Sequence, residues 1–208
     1  MMNIFKKFKI IFKKLNPFKT FANVLKNYIS EKCLSELPYR WTEKTRVYHN
    51  VGHLIQIIQD VEKNVWFKEL GIYEKQALLL ACFFHDAIYD PHKKNNEDQS
   101  IEYFKASYIS KDSKMLNVVC DLIEITKHRK RPINKLKRIL WDADNMKFKT
   151  GYQGLLNIEK LIQKEYHFLS KDEYKKKRIE FLESNIGLFG TSVDKDIQKL
   201  IEYVKKYY

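Results

Sequence analysis

The sequence predicts an all-α protein. Apolar residues recur every three to four positions over most of the chain, and few segments alternate between apolar and polar residues as strands do. Six glycines and four prolines in 208 residues leave few turns for a many-stranded fold. The periodicity predicts helices near residues 20–34, 49–65, 73–87, 96–109, 112–128, 133–142, 151–167, 171–186 and 193–206.

The first thirty residues differ from the rest of the chain in charge. They contain seven lysines and no acidic residue, so their charge is more than half of the formal net charge of +13. Four apolar residues among them have the spacing of an amphipathic helix: Phe8, Ile11, Phe12 and Leu15. Such a helix could pack on the domain, contact an anionic membrane through residues 1–18, or form part of a targeting segment. We expect a basic helical extension over residues 1–35 and one main domain over residues 36–208.

The cysteines, the hydropathy and the motifs of the sequence indicate where the protein works and which partners we expect. Cys33, Cys82 and Cys120 are odd in number and widely spaced, so they predict neither a disulfide framework nor a zinc knuckle. No apolar stretch approaches the roughly 18–20 residues of a membrane-spanning helix. No nucleic-acid-binding motif is recognisable, and we expect no specific nucleic-acid binding. We therefore expect a cytoplasmic protein, with peripheral membrane contact as an open alternative.

A histidine and an aspartate end the apolar run ALLLACFFHD, which begins at Ala77. A helix that is apolar on all sides is normally central to a domain, and charged groups there are costly unless they are paired or bind a metal. Two interpretations are open. His85 and Asp86 could bind a cation, or they could lie just past the helix end, with His85 hydrogen-bonded and Asp86 capping the next turn.

Other histidines and aspartates occur in or beside apolar segments and favour the metal interpretation. His49 and His53 are four residues apart, so we expect them on one face of a helix. They do not form a zinc-protease HExxH motif, because Asn50 stands where that motif needs a glutamate. Downstream, ITKHRK contributes His128, and ILWDAD contributes a pair of aspartates at 142 and 144.

The order of these motifs resembles the H…HD…D signature of the HD-domain superfamily of metal-dependent phosphohydrolases. The matching segments, over residues 40–190, are RVYHNVGH (46–53), FFHDAIYD (83–90), Asn96-Glu97, Thr126 with His128, DAD (142–144), Glu165-Tyr166, and Tyr174 with Arg178. The resemblance implies an HD-domain-like helical bundle with a central metal site. It implies four metal ligands: His53, His85, Asp86 and Asp144. The sequence departs from the pattern after DAD, where Asn145 and added lysines change one wall of the expected pocket.

Two imidazoles and two carboxylates suit Mn, Fe, Ni, Co, Zn or Mg. A metal of this kind can lower the pKa of a bound water toward about 7 and can polarise a phosphoryl oxygen. We therefore expect hydrolysis of a phosphate ester of a small molecule, with nucleotides as the expected substrate class. The alternative is a non-catalytic sensor module that holds a metal or a nucleotide. In a third alternative, the basic N-terminal helix is the active part, and it binds a membrane or a nucleic acid.

Further residues are candidates for catalysis and substrate binding. Besides Asp86, we expect catalytic roles for Glu97, in acid–base chemistry or water positioning, and for His128, at a phosphate or a second metal. The expected substrate-binding residues are Arg46, His49, Lys93 and Lys94. Each has a simpler explanation. Arg46 could pair with Glu43, the lysines could be solvated, His49 could hydrogen-bond to the backbone, and Glu97 could be a favoured acid in the first turn of its helix.

Overall fold

A computed structural model describes residues 16–127 and 130–208 of the chain. Over these ranges the protein is all-α, as predicted, and its strand-like pairing is one isolated bridge between Ile29 and Tyr108. The helices of the described residues are α1 (Pro17–Leu25), α2 (Glu31–Arg40), α3 (Val51–Lys63), α4 (Ile72–Phe84), α5 (Asn96–Ser107), α6 (Ser113–Glu124), α7 (Lys135–Asp144), α8 (Gly151–Glu165), α9 (Lys171–Glu183) and α10 (Thr191–Tyr207).

The predicted helix over residues 20–34 is wrong, because this segment contains the end of α1 and the start of α2. The backbone leaves the helical path at Ile29, where it pairs with the segment that follows α5. The Ser30 N–H donates to the carbonyl of Ser107 at 2.9 Å, and the Ser30 hydroxyl caps α2 by accepting from the Cys33 N–H at 3.3 Å. A serine N-cap starts a new helix because it satisfies one of the free N–H groups of the first turn.

Helix α4 lies at the centre of the larger of two hydrophobic clusters. All eight residues from 77 to 84 are buried, as its apolar sequence predicts. Side chains of α1 to α7 surround it, including Phe18, Phe21 and Trp41. Phe18 and Phe21 both contact the Phe83 ring, with ring centroids 5.4 and 5.9 Å away. The described part of the predicted N-terminal extension thus packs into the same core as the main domain.

The second cluster joins α8, α9 and α10 to the turn that follows α7. It includes Phe148, Leu155, Leu182 and Leu200, which are at most 3% exposed. Burying an apolar side chain of this size contributes roughly 1.5–3 kcal/mol. A cavity of about 500 Å³ is lined by residues of α5, α7, α8 and α9 and of the loops beside them, including the turn that follows α4. Elements of both clusters therefore contribute to the lining of one cavity.

The interpretations of residues 1–15 as a packed, membrane-surface or targeting helix lie outside the described residues. Within residues 16–127 and 130–208, no helix is both long enough and apolar enough to cross a membrane.

Candidate metal centre

Helix α4 positions His85 and Asp86 at its C-terminal end. His85 is the C-cap residue, and its backbone N–H still donates to the carbonyl of Ala81 at 2.9 Å. Its ring nitrogen Nδ1 lies 2.9 Å from the carbonyl oxygen of Cys82, to which it must donate. In the neutral ring the proton is therefore on Nδ1, and Nε2 has no proton and a free lone pair. A histidine that ligates a metal is typically oriented by such a bond from its other nitrogen.

His53 and Asp144 reach the same place from two other helices. His53 lies in the first turn of α3, and Asp144 is the last residue of α7. The His85 Nε2 lies 3.2 Å from the Oδ2 of Asp86, and the His53 Nε2 lies 3.8 Å from the same oxygen. The Oδ1 of Asp144 lies 3.5 Å from the His53 Nε2. His53, His85 and Asp86 each offer one atom that can ligate a metal, and these three atoms lie within 4.8 Å of one another. This buried group could therefore hold a metal ion.

Two atoms of this group are buried without a hydrogen bond. They are the Nε2 atoms of His53 and His85, and both rings are at most 8% exposed. A buried polar atom is nearly always hydrogen-bonded, because leaving it without a partner costs about 1–3 kcal/mol. A cation among the two nitrogens and the carboxylate would satisfy both. The donor set, with imidazole nitrogens and carboxylate oxygens, fits the divalent ions expected from the sequence.

The charges in this group shift its pKa values in opposite directions. Burial lowers the pKa of His53 to about 4. Burial also opposes a charge on His85, but Asp86 and Asp144 outweigh it and raise the His85 pKa to about 9. Burial likewise opposes the charges of Asp86 and Asp144, yet nearby positive groups hold the pKa of each carboxyl well below its usual range. For Asp86 these groups are the histidines. For Asp144 they are Lys147 and the histidines. The group therefore favours a positive charge at its centre, which a proton on His85 or a metal can supply.

Arg46, which the sequence suggested for substrate binding, has a buried side chain that is bonded to protein groups. Its guanidinium donates to the carbonyls of Asp86 at 2.7 Å, Ala87 at 3.0 Å and His49 at 3.2 Å. Its Nε also pairs with Glu43 Oε2 at 3.0 Å, which is the pairing that the sequence offered as the simpler explanation. The Arg46 side chain is 0% exposed. Arg46 therefore ties the segment before α3 to the turn after α4, where Asp86 lies.

His49 is not on a helical face with His53. Asn50 caps α3 by accepting from the Gly52 N–H at 2.7 Å, so His49 lies before the helix. The His49 Nδ1 lies 2.7 Å from the Oε2 of Glu165, and the ring stacks on Tyr89. His49 lines the cavity, as predicted.

Glu165 is a buried residue that sequence reasoning did not include in the site. Its Oε1 accepts from the backbone N–H groups of residues 47–49 at 2.8–2.9 Å, and its Oε2 also accepts from the Tyr89 hydroxyl at 3.0 Å. Burial opposes its charge, but the bonds from His49 and the backbone keep the pKa of Glu165 below its ordinary value. The signal for it was the Glu165-Tyr166 pair among the matching segments.

The remaining candidates lie at different places around the cavity. Lys93, Lys94 and Glu97 all line it. Burial of the Glu97 carboxyl, helped by the charges of Asp86 and Asp144, raises its pKa. His128 lies outside the described residues, so its role stays a prediction. Further lining residues that the sequence did not single out for the site are Tyr89, Lys127, Lys147, Tyr166, Lys177 and Phe181.

A different environment surrounds the first aspartate of the DAD motif. Asp142 pairs with Arg131 at 2.9 Å, and with Arg138 and Lys149 at 3.7 Å. It is not among the residues that line the cavity, whereas Asp144 is. The two aspartates thus have separate roles, with Asp142 in a set of ion pairs and Asp144 beside His53.

The chain matches no known family model, and it is significantly similar to neither the curated proteins nor the solved structures. The geometry of the cavity is therefore the main guide to its function.

Proposed function

We propose that this protein is a metal-dependent phosphohydrolase of the HD-domain type, which cleaves a phosphate ester of a small molecule such as a nucleotide. One observation carries the proposal. Two buried imidazole nitrogens without hydrogen bonds converge with the Asp86 carboxylate at a cavity that is also lined by lysines. The motif order described above supports the same function.

His53, His85 and Asp86 would hold the metal, with Asp144 beside His53. A divalent ion there supplies a Lewis acid and lowers the pKa of a water to about 7. The protein supplies the other requirements of phosphate ester hydrolysis. Lysine ammonium groups at the cavity neutralise non-bridging phosphoryl oxygens. Glu97 is the candidate for proton transfer, because burial of its carboxyl raises its pKa.

His49 and Glu165 form a second functional unit in this proposal. The carboxylate of Glu165 fixes the His49 ring by accepting from Nδ1, which leaves Nε2 for a partner in the cavity. When the ring carries a second proton, on Nε2, an imidazole held in this way can pass that proton to a leaving group or donate a hydrogen bond to a phosphoryl oxygen. The three backbone bonds to Glu165 make this orientation rigid.

The test is a metal analysis combined with a substrate panel. Purified protein is expected to contain a divalent metal and to hydrolyse at least one nucleotide or generic phosphate ester, with the activity lost on adding a chelator. Asp86→Ala is expected to abolish turnover, while Asp172→Ala, an exposed aspartate of α9, retains it. Bound metal without turnover of any phosphate ester would overturn the hydrolase proposal and favour a sensor module.

A further inference from the structure

Six basic residues line the cavity, and only some of them are neutralised by acidic partners. Lys93 lies 3.8 Å from Asp90, Lys127 pairs with Asp98 and Glu124, and Arg178 pairs with Glu159 at 2.6 Å. The other three are Lys94, Lys147 and Lys177. Within residues 16–127 and 130–208, none of these three has an ion pair with a carboxylate.

The three unpaired lysines come from separate parts of the chain. Lys94 is in the loop between α4 and α5, Lys147 is in the 3-10 turn after α7, and Lys177 is in α9. Lysines spaced along one exposed helical face would be explained by solubility alone. These three line one cavity because the fold places their elements around it. None has a carboxylate at ion-pair distance among the described residues, although the charge of Lys147 acts on Asp144 and that of Lys177 on Glu173. Such an arrangement is unfavourable until an anion binds.

The charge of the metal group does not account for these lysines. A divalent ion bound there would be offset by the two carboxylates of Asp86 and Asp144, since the two histidines are neutral as ligands. The charges of Lys94, Lys147 and Lys177 then remain without a carboxylate at ion-pair distance among the described residues. One phosphate monoester carries about −1.5 to −2 at neutral pH, which leaves at least one lysine without a counter-charge.

We infer that the substrate is a small molecule with at least two phosphoryl groups, either a phosphoanhydride or a bisphosphate. This inference rests on the proposed function and specifies its substrate class. One phosphoryl group lies at the metal centre, and another lies among Lys94, Lys147 and Lys177. The cavity volume of about 500 Å³ suits a ligand of this size. Tyr166 and Phe181, which also line the cavity, offer apolar surface to the organic part of the substrate.

Binding without turnover is the first test. Tripolyphosphate and orthophosphate are titrated by calorimetry into metal-free protein from which the chelator has been removed. Tripolyphosphate is expected to bind at least about tenfold more tightly, because it contacts several lysines at once. The triple variant Lys94→Gln, Lys147→Gln, Lys177→Gln is expected to lose at least about tenfold in tripolyphosphate affinity, with circular dichroism showing that it still folds.

Lys176→Gln is the matched control, because Lys176 is exposed on α9 next to Lys177 but does not line the cavity. It is expected to leave tripolyphosphate binding unchanged. Equal affinity for tripolyphosphate and orthophosphate, or an equal loss in Lys176→Gln and in the triple variant, would overturn the inference.

Kinetics separate this inference from the proposed function. Nucleoside mono-, di- and triphosphates and a nucleoside bisphosphate are compared by kcat/KM in the metal-loaded enzyme, with p-nitrophenyl phosphate as the monoester. Preference for the di- and triphosphates identifies a phosphoanhydride, and preference for the bisphosphate identifies the other class. Hydrolysis of monoesters alone, with no selective tripolyphosphate binding, would overturn the inference and leave the hydrolase proposal intact. Selective tripolyphosphate binding without any hydrolysis would support a site for several phosphoryl groups and overturn the hydrolase proposal.

Discussion

Two regions of this molecule bury charged groups, and they do so in different ways. Between α8 and α9, the Glu159 side chain is fully buried and accepts from the Tyr174 hydroxyl and from the Arg178 Nε, both at 2.6 Å. At the end of α4, the His53 and His85 rings and the Asp86 carboxylate are also buried, but the two Nε2 atoms have no hydrogen bond. The first region is satisfied by short hydrogen bonds within the protein, whereas in the second the two Nε2 atoms have only carboxylate oxygens at 3.2–3.8 Å.

Under the proposed function, this difference separates a structural buried charge from a metal-binding one. Burial alone marks both regions, and both lie beside the same cavity. The unsatisfied donor atoms are what distinguish the second region, because a protein gains nothing in stability from leaving polar atoms without partners. We therefore expect substitutions in the two regions to affect different properties, with stability changed in the first and metal binding changed in the second.

The largest expected effect is on stability, from Glu159→Gln. This change removes the charge that pairs with Arg178 and places an N–H donor against the arginine. Breaking a buried ion pair by removing one partner costs about 3–5 kcal/mol in the free energy of unfolding. Urea denaturation of the metal-free protein measures it. Glu180→Gln, at an exposed position of α9, should stay within about 0.5 kcal/mol of the parent.

The folded fraction of Glu159→Gln should still bind metal with the affinity of the parent protein. A variant that is as stable as the parent but binds metal weakly would contradict the distinction between the regions, since the Glu159 region would then belong to the metal site.

The next effect is on metal affinity, from the two aspartates of the DAD motif. Asp144→Asn removes a carboxylate 3.5 Å from the His53 Nε2, and Asp142→Asn removes one that pairs with three basic residues away from the cavity. Loss of a residue that only orients a metal ligand lowers metal affinity about 10–100-fold, so we expect at least that loss in Asp144→Asn. Asp142→Asn should retain metal. Competition with a chromophoric chelator measures both, and equal losses in the two variants would contradict the assigned roles.

The smallest of these effects is the pH dependence of metal binding. His85 has its pKa raised to about 9 in the metal-free fold, so below that pH a metal must displace its proton. His53 has its pKa lowered to about 4 and is already neutral over this range. Metal affinity should therefore rise about tenfold per pH unit between about pH 7 and pH 9, with release of about one proton per ion. Calorimetry in buffers of different ionisation enthalpy counts these protons. A constant affinity over the same range would show that His85 is already neutral.

The raised pKa of His85 also affects stability in the metal-free protein. A pKa above the unfolded value means that folding favours the protonated ring, so this contribution is fully present below about pH 6.5. It is lost as the pH rises through the folded value of about 9. Metal binding removes this dependence, because the bound ion takes the place of the proton.

Helical periodicity predicted the fold class and most helices, because burial of an apolar face determines both. It did not predict the break between α1 and α2. That break depends on Ser30 and Ile29 meeting the end of α5, a contact between residues more than seventy positions apart. Periodicity contains no information about such a partner.

His85 and Asp86 could be singled out from the sequence because their residue types are unfavourable at the end of an apolar helix, whereas His53 and Asp144 were expected as ligands from the motif resemblance alone. The bonds from Arg46 to the carbonyls of Asp86 and Ala87 were not predictable, because these carbonyls are about forty residues away in the sequence and reach Arg46 only through folding. Lys147 and Lys177 were missed for a related reason. Each is one lysine in a lysine-rich segment, and only the packed helices show which of them face the cavity.

The Arg46 guanidinium donates to the Asp86 carbonyl, and the His85 Nδ1 donates to the Cys82 carbonyl, so protein groups orient the Asp86 backbone and the His85 ring. Under the proposed function, we expect a metal to bind at residues that these bonds already orient, unlike in a zinc finger, whose chain folds only around its metal. We expect the folded protein to exchange its ion with the surrounding pool. Under such exchange, the resident metal reflects which divalent ion is abundant where the protein works, as well as the intrinsic affinity order of its ligands.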